Sequence, residues 1–329
     1  MNGRTGPRFI AKLAAAVLAI AALAPAAAAQ EKLKIVATTG MIADAIKQVG
    51  GERVAVTALM GPGVDPHTYR QTRSDIAALT KADAVFWHGL YLEAQLEDFL
   101  RDLGKRKTVV ALAESLPQEQ LLSNTDYPGR HDPHVWMDPR LWKGVVTAAR
   151  DALTALEPAS ADAFKANADR HLAEIDALAA YADTAFASVP EGARVLITAH
   201  DAFGYFGKAY GYEVLGIQGI STESEAGLKQ IETLVDTIVA KKIRAIFVES
   251  SVSDRNVRAL IEGAAAKGHE VVIGGELYSD AMGAPGTYEG TYIGMLDHNV
   301  TVITRALGGE APEKGLNNKL AALAPSSGR

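Results

Sequence analysis

From residue 30 onward, short runs of β-branched and apolar residues alternate with longer stretches whose apolar positions recur at helical spacing. Residues 34–37, 54–60, 84–87 and 108–112 read as buried strands, with helices over 41–49, 74–81 and 93–103 between them. The pattern restarts with strands at 195–198, 212–215, 245–248 and 270–273, and helices over 202–210, 224–240, 254–266 and 288–306. A strand–helix repeat packs most simply as a parallel sheet covered by helices. The fold class expected is therefore α/β, with two βα lobes of similar plan.

Between the two series, residues 160–188 are rich in Ala, Asp, Glu and Leu and contain neither Gly nor Pro. Pro158 and Ser160 supply a start signal, and Pro190 with Gly192 a stop. About 28 helical residues reach roughly 40 Å at 1.5 Å per residue, long enough for a stiff connector between lobes. The competing arrangement packs this helix wholly within one lobe. The expected boundaries are 1–29 for a leader, 30–158 for the N-terminal lobe, 159–189 for the linking helix and 190–329 for the C-terminal lobe.

The first 29 residues differ from the rest. Arg4, Arg8 and Lys12 precede an apolar run over 13–23, and Ala26 to Ala29 supply small residues before Gln30. This reads as a secretory signal peptide cleaved near Ala29; the apolar run falls short of the ~20 residues a membrane-spanning helix needs. The 329 residues include no cysteine, which leaves no disulfide framework, no thiolate metal site and no residue for lipid attachment. Export without a lipid anchor fits a periplasmic location. Removing the leader takes away three positive charges and no negative ones, moving the formal net charge from −6 to −9. An acidic surface argues against nucleic acid or anionic lipid as a partner.

Candidate chemistry gathers in four short segments: Asp65-Pro66-His67, Asp132-Pro133-His134, Ala199-His200-Asp201 and Tyr278-Ser279-Asp280. Ligands of open α/β sheets sit beyond the carboxyl ends of the strands, and His67, His200 and Asp280 each follow an expected strand. His134 falls in a long loop over 121–138. Three imidazoles and a carboxylate, two from each lobe, make a closed set of ligands for a divalent transition metal in the interlobe cleft. A single histidine would more often be solvated or hydrogen-bonded than ligating; the shared placement of these four argues otherwise. His171, His269 and His298 read as surface residues, and His88 and His131 as auxiliary groups at most. Glu249 ends a strand and either orients a ligand histidine or caps the following helix.

Enzyme signatures are missing. There is no His-Glu-x-x-His pair, no Gly-x-Ser-x-Gly elbow, no phosphate-binding loop and no dinucleotide fingerprint after the first strand. A periplasmic zinc-dependent hydrolase is the rival from another class, but catalytic zinc keeps a coordination position open, and four protein ligands fill it.

The chain resembles the periplasmic zinc and manganese solute-binding proteins of metal ABC transporters, the TroA-like or cluster A-I family. The resemblance covers nearly all of the chain after the leader. It rests on 63–67 (GVDPH), 132–139 (DPHVWMDP), 198–206 (TAHDAFGYF), 219–222 (GIST), 248–251 (VESS) and 275–280 (GELYSD), six motifs in order. It implies two βα lobes joined by a long rigid helix with one ion between them, and places the metal ligands on His67, His134, His200 and Asp280. It implies no enzymatic activity. The ion is cargo, captured with high affinity and delivered to a membrane permease, with a metallochaperone as a further candidate partner and a monomer as the simplest acting form.

Within the family, iron- and manganese-preferring members often carry Glu where this chain has His200, and zinc specialists often carry a His-rich loop where residues 123–130 hold no histidine. Three neutral imidazoles and one carboxylate suit four-coordinate Zn²⁺, and the Irving–Williams order favours zinc over manganese, so zinc is expected to bind more tightly with manganese as the alternative cargo. Binding needs neutral histidines, so affinity is expected to fall as pH drops through the ordinary imidazole range near 6.5.

Overall fold

A computed structural model describes residues 31–124 and 126–321. The expected signal peptide at 1–29 lies outside the described residues. In the N-terminal half, β1 (Leu33–Ala37), β2 (Val54–Ala58), β3 (Ala84–Trp87) and β4 (Thr108–Ala111) form one parallel sheet in the order β2-β1-β3-β4. Parallel strands need crossovers, and three helices supply cover: α1 (Gly40–Gly50), α2 (Arg73–Lys81) and α3 (Glu97–Leu103). Their starts follow from local chemistry. Thr39 accepts from the Ile42 N–H at the head of α1, and Thr72 with Asp75 forms a reciprocal capping box on α2. Helix α3 begins later than its apolar spacing predicts. Glu93 is instead buried, where its carboxylate accepts from Thr38 Oγ1 (2.6 Å) and from the backbone N–H groups of His88 (2.8 Å) and Gly89 (3.1 Å).

The sequence reading assigns no element to α4 (Pro139–Leu156), an 18-residue helix capped by Asp138 with proline in its first turn. Next comes α5 (Ala161–Ala187), 27 residues and ~40 Å long. It packs against α1 and α4 on one side of the molecule and against α9 (Tyr292–Ala306) from the C-terminal half. The helix thus touches elements from both halves of the chain. Its buried stripe runs Phe164, Ala168, His171, Ile175, Leu178, Ala182, alternating steps of three and four as an amphipathic helix requires. His171 is in register with this stripe and only 1% exposed, which corrects its reading as a surface residue.

The C-terminal half pairs β5 (Val195–His200) with β6 (Glu213–Gln218) and β7 (Ala245–Glu249) with β8 (Val272–Leu277), all parallel, with β7 lying alongside β5. Helices α6 (Gly204–Tyr210), α7 (Leu228–Lys241) and α8 (Arg255–Ala266) complete this half. Strand β8 runs further than expected. Gly274 does not end it but is the extra residue of a bulge between the pairs Ile246–Ile273 and Phe247–Gly275, after which pairing continues to Leu277. A Cβ on Gly274 would come within 2.9 Å of both Phe247 and Ala306, so only glycine lets strand, helix and neighbour approach this closely.

One apolar core runs without a break from Ile35, Ile42 and Phe86 through Trp142 and Phe186 to Leu196, Phe247 and Val300, joining the two halves. Behind the cleft, Trp142 stacks on Tyr292 (5.3 Å between ring centres), the Tyr292 hydroxyl donates to the Trp136 carbonyl, and the Trp136 indole donates to the Ser279 carbonyl. These groups tie one half to the other behind the cleft. No helix among the described residues is long and apolar enough to cross a membrane.

Candidate metal centre

The four sequence-predicted residues meet at the carboxyl ends of the strands. His67 follows β2, His134 opens a short turn before α4, His200 is the last residue of β5 and Asp280 follows β8. All four are buried, and one donor atom from each lies within 4.8 Å of every other. Two nitrogens bonded to one zinc ion at ~2.05 Å and the tetrahedral angle sit ~3.3 Å apart. The His134 Nε2 atom is 3.3 Å from His67 Nε2 and 3.4 Å from His200 Nε2. Asp280 faces this cluster, with Oδ1 at 3.3 Å from His134 Nε2 and Oδ2 at 3.2 Å from His200 Nε2 and 3.8 Å from His67 Nε2. Both carboxylate oxygens are buried, with these imidazole nitrogens as their polar neighbours. Buried acceptors are costly unless donors or a cation complete them, so the arrangement suits a divalent ion.

Local sequence explains how the imidazoles are aimed. In both Asp-Pro-His segments the aspartate accepts the backbone N–H of the histidine two residues on, at 2.8 Å for Asp65 and His67 and 3.0 Å for Asp132 and His134. This Asx turn, with proline fixing the intervening backbone, presents the ring inward. Asp132 Oδ1 also accepts from His134 Nδ1 at 2.7 Å, so Nε2 faces the cluster and offers its lone pair once the ring is neutral. Gly204 makes room for that carboxylate, because a Cβ there would lie 2.9 Å from Asp132 Oδ2. Tyr205 steadies the same segment by donating to the Asp132 carbonyl at 2.8 Å.

Glu249, at the end of β7, does the equivalent for His200. It accepts from the His200 backbone N–H at 2.9 Å and from His200 Nδ1 at 2.5 Å, so of its two sequence-level readings the orienting one fits and helix capping does not. Asp280 is held through its neighbours: Asn299 on α9 bonds both the N–H and the carbonyl of Tyr278, and Ser279 Oγ lies 3.1 Å from Ser251 Oγ.

Burial and neighbouring charges shift these groups in different directions. Burial pushes the His67 imidazole down to about 4 against the pull of Asp280. Burial also opposes protonation of His134, but the Asp132 and Asp280 carboxylates overcome it and raise that imidazole to about 9. His200 is raised well above its ordinary value in the same way, against burial, by Asp280 and Glu249. Asp280, despite burial, is held well below the usual carboxylate range by His200 and His134.

The remaining histidines stand apart. His88 does not enter the cluster; its Nε2 donates to the Pro133 carbonyl at 2.7 Å, its ring packs edge-on to Trp136, and burial lowers it to about 3. It braces the His134 loop from behind. His131 sits in an isolated bridge with Ser123, and His269 and His298 bond backbone carbonyls of Ile243 and Glu276. The sequence reading does not reach the supporting roles of Asp65 and Asp132, although an aspartate two residues before a clustered histidine, occurring twice, is an available signal.

Known proteins resemble this chain over most of its length. Residues 35–306 match the family described as zinc-uptake complex component A, periplasmic. The chain is 47% identical over 280 residues to the manganese-binding lipoprotein MntA of Bacillus subtilis (strain 168), an overlap of 85% of this chain and 91% of that protein. It is 45% identical over 281 residues to the zinc-binding protein TroA of Treponema pallidum (strain Nichols), again 85% of this chain and 91% of that protein. The solved structure of the periplasmic zinc-binding protein TroA from Treponema pallidum superposes with a TM-score of 0.82, covering 84% of this chain and 99% of the other. By these matches, which extend over most of its length, the chain belongs to the periplasmic component A family of zinc-uptake complexes.

Proposed function

We propose that this protein captures one divalent transition metal on His67, His134, His200 and Asp280 and hands it to an ABC-type membrane permease for import. The observation that carries the reading is the convergence of three imidazole nitrogens on a buried carboxylate at metal-bridging distances. The names of the relatives support it: one is a manganese-binding and the other a zinc-binding protein. The family is one of transport components and not of enzymes, which sets aside the zinc-hydrolase alternative.

Within this reading residues 1–29 direct export to the periplasm, 30–158 and 190–329 form the lobes, 159–189 joins them, and the carrier acts as a monomer. The relatives' names do not choose between metals, so the donor set does. Three nitrogens and one carboxylate favour zinc over manganese. A competition titration of the chain from residue 30, free of any histidine tag and stripped with chelator, tests this. One zinc per chain, held about a hundredfold or more tighter than manganese, is the expected result. Manganese displacing zinc at comparable free concentrations would reverse the choice of metal, and no tight site for either would overturn the function.

Because Glu249 and Asp132 fix the tautomer and aim of their histidines, Glu249→Gln and Asp132→Asn each lower zinc affinity by about 10–100-fold while leaving one site per chain. The same titration reads this out; affinities within twofold of the parent would deny those carboxylates the role.

A further inference from the structure

The Gly219-Ile220-Ser221-Thr222 segment has no part in the metal cluster, yet with Glu223 it reaches across to the opposite lobe. Thr222 Oγ1 donates to Asp65 Oδ2 at 2.6 Å, and Asp65 Oδ1 accepts the backbone N–H of His67. Glu223 accepts from Gln95 Nε2 at 2.7 Å and from the Tyr127 hydroxyl at 2.5 Å. Behind Tyr127 lies an unusual turn in which Gly89, Leu90 and Tyr91 all adopt left-handed backbone, with φ of 87°, 55° and 70°. Such a conformation is unfavourable for the two non-glycine residues and is retained where surroundings enforce it. It sets the Tyr91 ring edge-on to Tyr127, 5.1 Å between centres, with the Arg130 guanidinium 4.4 Å over its other contact face. His67 is the outermost of the four residues, 4% exposed against 0% for His134 and His200 and 2% for Asp280. The candidate ligand with the most residual exposure is thus the one whose turn Thr222 braces through Asp65.

We infer that Thr222 and Glu223 form a clasp across the cleft mouth that sets how fast the ion leaves. They are positioning residues: Thr222 acts through Asp65 on the His67 turn, and Glu223 ties the C-terminal lobe to Tyr127 and Gln95. Closing these bonds holds the His67 loop over the ion, and breaking them frees the outermost ligand while His134, His200 and Asp280 stay braced. Any partner that draws Glu223 away opens the site from its exit side. The inference rests on the metal-binding reading above, and its test separates the two.

Zinc-loaded protein is mixed with excess chelator and zinc release is followed by stopped flow, for the parent, Thr222→Val, Thr222→Ser and Glu223→Gln, with cobalt-substituted samples recorded by absorption. Release about tenfold faster in Thr222→Val and Glu223→Gln is expected, since charge-assisted hydrogen bonds of this kind contribute enough for that change. Thr222→Ser, which keeps the hydroxyl, should release zinc at the parental rate, and the cobalt spectra of all four should coincide. Release within twofold of the parent in both clasp variants would overturn the inference while leaving metal binding intact. Altered cobalt spectra would overturn it as well, since the residues would then act on coordination itself. Absence of tight zinc binding in the parent would instead overturn the metal-binding reading.

Discussion

Zinc affinity in Asp280→Ala falls by well over a hundredfold, more than in any variant that merely disturbs a ligand's support. Asp280 is the only anionic residue among the four proposed ligands, and it faces His134 and His200 at 3.3 and 3.2 Å and His67 at 3.8 Å. Its removal leaves three neutral donors and subtracts the attraction between a dication and a buried carboxylate, which the low dielectric of the interior strengthens. The fold should survive, because the loop carrying Asp280 is anchored by Asn299, Trp136 and Ser251 through atoms other than the carboxylate. A chelator-competition titration together with thermal unfolding of the metal-free variant separates the two effects. Unchanged affinity in a cooperatively folded variant removes Asp280 from the site.

The second large effect is of pH. Sequence alone places the loss of affinity near the ordinary imidazole value of 6.5, whereas the folded cluster moves it. His67, lowered to about 4, is already neutral at pH 7 and gives up no proton there. His134, raised to about 9, and His200, raised well above its ordinary value, are protonated in the metal-free cluster and must each lose a proton to ligate. Between about pH 5 and 9 zinc affinity therefore rises by roughly tenfold to a hundredfold per pH unit, according to whether one or two protons leave. The sign of the stability effect follows. A histidine whose folded value is raised stabilises the metal-free protein fully below its unfolded value near 6.5, and that contribution is lost as pH climbs through 9. Zinc binding runs the other way, so the rise in melting temperature on adding zinc should grow with pH. Proton release measured by calorimetry in buffers of different ionisation enthalpy checks the count; a zinc affinity flat from pH 6 to 8 would deny the coupling.

Much of this site was legible in the chain because parallel α/β sheets put ligands at strand ends. His200 and Asp280 follow apolar runs, and His67 follows a third through a glycine-proline turn. The supporting carboxylates were harder to read. Glu249 pairs with a histidine 49 positions away, and nothing local distinguishes it from a helix cap. Asp65 and Asp132 were within reach, since both precede a histidine of the cluster by two residues. His171 reads as a surface residue from the sequence, although its seven-residue step from Phe164 places it on the buried stripe. Hydrophobic patterning assigns no element to helix α4, although Asp138-Pro139 is a start signal for it. The clasp lay beyond sequence reasoning: its motif was visible, but bonds from Glu223 to Gln95 and Tyr127 exist only once the two lobes face each other.

The central claim, that one ion is held jointly by both lobes on these four residues, is tested most directly by anomalous diffraction at the zinc absorption edge from crystals of the zinc-loaded protein. A single strong peak about 2 Å from the Nε2 atoms of His67, His134 and His200 and from an oxygen of Asp280 is the predicted result. A zinc peak elsewhere, or one bonded to residues of a single lobe, would contradict it.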